Sequence, residues 1–183
     1  MDTRVEAALQ IQREAYAQLW RGSGAMPGWG GAPLPLARGR PVEVRRVWSE
    51  VLATVAGEHA GATVMRDGER YVIFIGADPL TPIPGLNGED MDRFLVWREY
   101  ARIGLGEVFE DDPAGLLERW SRGGPGERLA AEQRLMERAV PLFLEEAQAI
   151  GRHSAAAAVR AWASGLGKMR REGPPPSGLA GPG

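Results

Sequence analysis

The chain has 183 residues, 44% of them hydrophobic and 25% charged, with 22 basic side chains against 24 acidic ones. That size and mixture fit one globular domain with an appendage at most, which excludes two full domains and general disorder. The absence of cysteine removes disulfides, thiolate nucleophiles and sulfur-based zinc sites, and His59 and His153 alone leave little for a metal site or a Ser-His-Asp triad. A formal charge of −2 does not single out nucleic acid as the partner.

Residues 2–20 are interrupted by Glu6, Gln10, Gln12, Arg13 and Glu14, so they do not read as a signal peptide. No later stretch has the run of about 18 apolar residues that a membrane span needs, and a soluble cytoplasmic protein is the expectation. Lys168 is the only lysine, so coding bias accounts for arginine in general, and a single arginine carries meaning only through its position.

Thr3 and Glu6 stand at capping-box spacing, and Val5, Leu9, Tyr16, Leu19 and Trp20 follow near the helical period, predicting an amphipathic helix within residues 1–21. Residues 22–40 are rich in glycine and proline, deny both periodicities and read as an arm carrying Trp29, Leu34 and Leu36. A core domain is expected over 41–172. Pro41 suits a first helical position, and Val44, Val47, Trp48, Val51, Leu52 and Val55 recur at three and four, predicting a helix up to Gly57. Two strand-like runs around Asp67-Gly68 predict a β-hairpin over 62–75 with a primed turn at that dipeptide. Its second run is continuously apolar from Tyr71 to Ile75, which demands cover on both faces, and helices must supply it.

A proline-containing loop over 76–88 leads to a helix capped by Asn87 or Asp90 and carrying Met91, Phe94, Leu95, Trp97, Ala101 and Leu105. Asp111-Asp112-Pro113 reads as the cap and first turn of a short helix through Leu116, Leu117 and Trp120. After Gly123–Gly126 a long helix is expected from Leu129 to Ile150, kinked or divided at Pro141. Ser154 then caps an alanine-rich helix with Val159, Trp162 and Leu166, and 173–183 has too little apolar mass to order, so a flexible tail is expected. The fold class is therefore α+β, predominantly helical, with a small sheet containing the hairpin packed against helices.

Within Phe94–Gly106 the frame Arg98-Glu99-Tyr100-Ala101-Arg102 resembles the active helix of the ImmA/IrrE family, the HExxH metallopeptidase-like proteins associated with phage repressors and stress regulators. In that family the helix carries His-Glu-x-x-His and follows a strand and a proline-containing loop, and a later helix supplies an acidic third ligand. Glu132, in Ala131-Glu132-Gln133-Arg134-Leu135-Met136, is the nearest match to that acid, and the resemblance covers roughly residues 42–150. Both histidine positions are arginine here. A guanidinium is permanently charged and offers only N–H donors, so it does not hold a metal ion, and Glu99 then has no metal-bound water to deprotonate. The resemblance thus implies a metal-free, cofactor-free pseudo-peptidase of phage or mobile-element type. Arg98 and Arg102 lie one helical turn apart, where like charges repel by a few tenths of a kcal/mol. Either Glu99 and a facing Glu132 neutralise them, a guanidinium filling the space of the metal, or both arginines are solvated.

Other residues offer weaker chemistry. Trp20 and Trp29 are candidate partner contacts unless the arm folds back on the body. Arg38, Arg40, Arg45 and Arg46 form a cluster that would suit phosphates, as would Lys168, Arg170 and Arg171, although the latter also complement a helix C-terminus. His59 reads as a loop residue and His153 as a helix-end group. Gly104-Leu105-Gly106 lacks the frame of a phosphate loop, and Glu107, Glu110, Asp111 and Asp112 lack calcium-loop spacing. The expected function is a non-catalytic interaction or regulatory protein with a protein partner and no membrane. The rivals are a hydrolase using Glu99 and Glu132 alone, and a nucleic-acid-associated factor. Oligomeric state is left open by the sequence.

Overall fold

The structure, a computed structural model, describes residues 2–26, 33–78 and 83–172, with side chains described up to residue 167. Trp29, the tail expected over 173–183 and the prolines at 79 and 82 lie outside the described residues, as do the side chains of Lys168, Arg170 and Arg171. The helices are α1 (Thr3–Arg21), α2 (Ser49–Ala56), α3 (Gly88–Gly104), α4 (Pro113–Arg122), α5 (Pro125–Ala149) and α6 (His153–Glu172). The strands are β1 (Ser23–Ala25), β2 (Val42–Val47), β3 (Ala62–Asp67) and β4 (Arg70–Gly76). They make one mixed sheet in the order β1-β2-β4-β3, with β4 parallel to β2 and antiparallel to β3. The fold is α+β and predominantly helical.

The apolar run of β4 organises the packing. Alternation along the strand sends Tyr71, Ile73 and Ile75 to one face, where Phe94, Val96, Phe143 and Val159 of α3, α5 and α6 meet them. Val72 and Phe74 point to the other face, against Leu19 of α1, Leu52 of α2 and Met65 of β3. All five side chains are at most 1% exposed, and each contributes about 1.5–3 kcal/mol through removal from water. Helices cover both faces, as the unbroken apolar run requires. Among the described residues no helix is long and apolar enough to cross a membrane.

Several local readings need correction. The helix expected from Pro41 to Gly57 is a strand followed by a short helix: β2 pairs in parallel with β4 from Val42↔Tyr71 to Val47↔Gly76, and only α2 is helical. The valine spacing of three and four suits a helix, but Val44 and Val47 reach opposite faces of the sheet. The long-range partner strand decides in favour of the β-branched residues' strand preference. The arm is not devoid of strand either, because β1 pairs with Val47, Arg46 and Arg45. Farther along, a bridge between Ala37 and Arg40 encloses Arg38 and Gly39, whose φ angles of 49° and 74° suit a tight primed turn.

The hairpin exists, but its turn residues are Gly68 and Glu69, since Asp67 pairs with Arg70. Only Gly68, at φ 56°, is left-handed, which suits a turn with glycine in its first central position. Asp67 is drawn into the strand end by the Tyr16 hydroxyl, which donates to it at 2.8 Å. The cap of α1 is Asp2, not Thr3: its carboxylate accepts from the Arg4 N–H at 2.9 Å. α5 starts at Pro125 and runs undivided through Pro141. Residues 137 and 141 are both exposed, so water can serve the carbonyl that the proline leaves without a helical donor. α6 begins at His153, ahead of Ser154. The expected caps at Asn87 and Asp112 are present, each accepting a backbone N–H three residues on, at 2.8 and 3.1 Å.

Candidate functional site

α3 is wedged between β3, β4 and α5, and its buried residues include Asp90, Arg93 and Glu99 as well as apolar bulk. Glu99 is 1% exposed, and both of its carboxylate oxygens accept from guanidinium groups. Arg98 Nη1 donates to Oε1 at 3.0 Å, and Arg102 Nε donates to Oε2 at 3.0 Å. The other arm of Arg98 crosses to α5, where Nη2 donates to Glu132 Oε1 at 2.7 Å. Arg102 Nη1 lies 4.0 Å from Glu107 Oε2. The negative charge of Glu99 holds the Arg102 pKa above its ordinary value, against the opposing effect of burial. Arg98, Glu99, Arg102 and Glu132, distant or adjacent in sequence, thus form one continuous lattice.

A zinc ion does not fit this donor set. Arg98 and Arg102, on either side of Glu99, present only N–H donors and no metal-ligating lone pair, and each places a cation on one Glu99 oxygen. Among the described residues no group of three or more His, Asp or Glu is placed to hold a metal ion. His59 is exposed in the loop before β3, and His153 is exposed at the first residue of α6.

Beside the lattice opens a cavity of about 650 Å³. Arg98, Glu99 and Arg102 form part of one wall; Ile11 and Ala15 of α1, Val55 of α2 and Trp120 of α4 also line it, and residues 60–65 of the edge strand and its approach run through it. Ile11 and Trp120 are 65% and 57% exposed at this opening, Trp120 stacked on Phe109 with ring centroids 5.5 Å apart. Glu110 also lines the cavity, and burial raises its pKa; among the described residues its Oε2 has no hydrogen-bond partner.

The remaining predicted residues are dispersed. Trp20 packs on its own chain: it stacks with Tyr16 at 5.8 Å, and the guanidinium groups of Arg45 and Arg70 lie 3.7 and 4.8 Å from its ring centroid. Arg45 and Arg46 are neighbours on β2 and so face opposite sides of the sheet. Arg45 bonds Ser23 and Glu43, whereas Arg46 bonds Asp92 and the Gly76 carbonyl. Arg40 donates to Gly68 O and Glu69, and Arg38 lies 3.8 Å from Asp111. Each of the four faces a carboxylate, and they share no basic stripe.

Sequence reasoning missed a second charged cluster. Arg93 is 3% exposed and donates to Glu146 Oε1 at 2.7 Å, while Trp97 Nε1 donates to Glu146 Oε2 at 2.7 Å, joining α3 to α5. Arg152 lies 2.7 Å from Glu89, and its hydrogen bond lowers the Glu89 pKa. The i, i+4 pair Glu89–Arg93 was the one local signal of this network. No family model, curated protein or solved structure matches the chain.

Proposed function

We propose that this chain is a non-catalytic interaction or regulatory protein, a metal-free pseudo-peptidase of ImmA/IrrE type whose arginine–carboxylate lattice replaces a metal centre. The observation that carries this reading is the state of Glu99: it is buried, and both oxygens accept from guanidinium groups at 3.0 Å. A general base needs a free lone pair within reach of the proton it takes. Glu99 is held under two guanidinium groups, one on each oxygen, and Glu132 is a half-exposed carboxylate bound to Arg98, so both acids are engaged by cations, which argues against a hydrolase built on them. The order of β4, loop, α3 and a later helix bearing Glu132 agrees with the resemblance. A protein partner is favoured over nucleic acid because the arginines are neutralised one by one, while the cavity mouth exposes Ile11 and Trp120.

The test is metal analysis of purified full-length protein after incubation with zinc or manganese, beside a general peptide-hydrolysis assay. No stoichiometric metal and no chelator-sensitive hydrolysis are expected. Stoichiometric, chelator-removable metal with chelator-sensitive cleavage refutes the reading. An Arg98→His/Arg102→His variant separates ancestry from function: gain of tight zinc binding supports the kinship, and indifference counts against the kinship alone.

A further inference from the structure

The strand order leaves β3 at the edge of the sheet, with its outer side in the cavity. In the β3–β4 ladder, Asp67 and Arg70 face each other across a two-residue turn, so hydrogen-bonded pairs fall at Asp67, Met65 and Thr63. The Gly76 N–H continues the ladder to the Gly61 carbonyl at 3.0 Å. The N–H and C=O groups of Ala62 and Val64 therefore point away from β4, and among the described residues no protein group bonds them. Sheet edges are ordinarily blunted by charge, proline, a bulge or a covering element. Here α1, α4 and residues 109–111 wall the edge in, so Ala62 and Val64 are only 7% exposed, yet their four backbone hydrogen-bonding groups line the recess without a protein partner among the described residues.

We infer that this edge takes up one extended segment of a protein partner, in which apolar side chains alternate with lysine or arginine. The inference rests on the interaction reading above and names the partner's chemistry. A strand added beside β3 directs alternate side chains to the two sides of the sheet. On the side of α1 and α4 it meets Ile11, Ala15 and Trp120, an apolar wall. On the other side the cations of α3 are already committed to Glu99 and Glu132, whereas among the described residues Glu110, also in the cavity lining, keeps a carboxylate oxygen without a hydrogen-bond partner and Glu107 has only the 4.0 Å contact with Arg102. The unmet electrostatic demand is for positive charge, which a basic side chain at every second position supplies. A second copy of this chain is the poorer occupant, because its own β3 is equally recessed behind α1 and α4.

The probe is a fluorescein-labelled peptide of about seven residues alternating lysine and leucine, long enough at about 3.3 Å per residue to run the length of β3. Binding to the full chain is read by anisotropy. Saturable one-to-one binding is expected, weakened about tenfold or more when the same residues are arranged in blocks or when alternate peptide nitrogens are methylated. Ala62→Pro removes one outward N–H and leaves the ladder to β4 intact, so it is expected to weaken binding about fivefold to tenfold. Glu110→Gln is expected to erase the preference for lysine over glutamine at the alternating positions. Equal binding of blocked or methylated peptides, or no binding, overturns the docking inference; so does self-association of the protein that Ala62→Pro abolishes, since it assigns the edge to a second copy. If Ala62→Pro does not fold, the methylated peptide on the unmodified protein decides. Mass spectrometry of the recovered peptide separates the two proposals: intact peptide is expected, and cleavage refutes the non-catalytic reading, whereas absence of binding leaves that reading standing.

Discussion

Replacing Glu99 by glutamine changes one proton-equivalent of charge and almost no volume, so it isolates the electrostatic role of the lattice. Each guanidinium lies 3.0 Å from a Glu99 oxygen, a gross attraction of about 5 kcal/mol per contact at an effective dielectric of about 20. Holding the carboxylate out of water costs several kcal/mol, so the intact lattice adds little net stability. Removing the charge is another matter, because two cations then face a neutral amide. Complete burial would make that cost about 3–5 kcal/mol. Arg98 and Arg102 are 22% and 29% exposed, and Glu132 still holds Arg98, so water and that acid recover part of the loss. We expect Glu99→Gln to destabilise the fold by about 2–4 kcal/mol, measured by urea unfolding followed by circular dichroism. Replacing Glu99, Arg98 and Arg102 together by leucine should restore most of it, because no cation is left facing a neutral group and Glu132, 46% exposed, is hydrated once Arg98 is gone. A Glu99→Gln loss below about 0.5 kcal/mol, or strict additivity with Arg102→Ala, would refute the reasoning, since residues sharing hydrogen bonds must couple.

Glu110→Gln should show a pH signature. Burial raises the folded-state pKa of Glu110, so the folded chain holds its proton to higher pH than the unfolded chain does, and stability falls as pH rises from the ordinary carboxylate range through the raised value. The variant should therefore match the parent in acid and gain on it towards neutral pH, in chemical unfolding repeated across that range; a gain that grows on acidification contradicts the assignment. Trp20→Ala should cost about 2–4 kcal/mol through lost ring burial and its contacts with Arg45 and Tyr16, yet leave metal analysis and peptide anisotropy unchanged, because Trp20 packs away from the cavity. Gly68→Ala should lower stability by about 1 kcal/mol, as its left-handed φ of 56° strains a residue with a Cβ, although open space surrounds the position; an unchanged urea midpoint would mean that the turn relaxes freely.

What was legible in the sequence was what neighbours in the chain decide for themselves. Asn87 and Asp112 cap helices because a side-chain oxygen reaches an N–H three residues on, and the hairpin forms because two strand-like runs flank a glycine. The pairing of Arg98 and Arg102 around Glu99 belongs to the same kind, since one helical turn sets their spacing. β2 was misread because its valines satisfy a helical spacing locally, and the evidence against a helix lies in β4, a strand made later in the chain. That same non-local pairing accounts for the site. Had β2 paired with β3 instead of β4, β3 would be an interior strand with its backbone groups bonded on both sides. By inserting between β2 and β3, β4 buries its own apolar run on both faces and leaves β3 outermost, with Ala62 and Val64 turned towards the cavity that the α3 lattice also lines. The burial of residues 71–75 on both faces and the place of β3 at the edge are thus two consequences of one strand order.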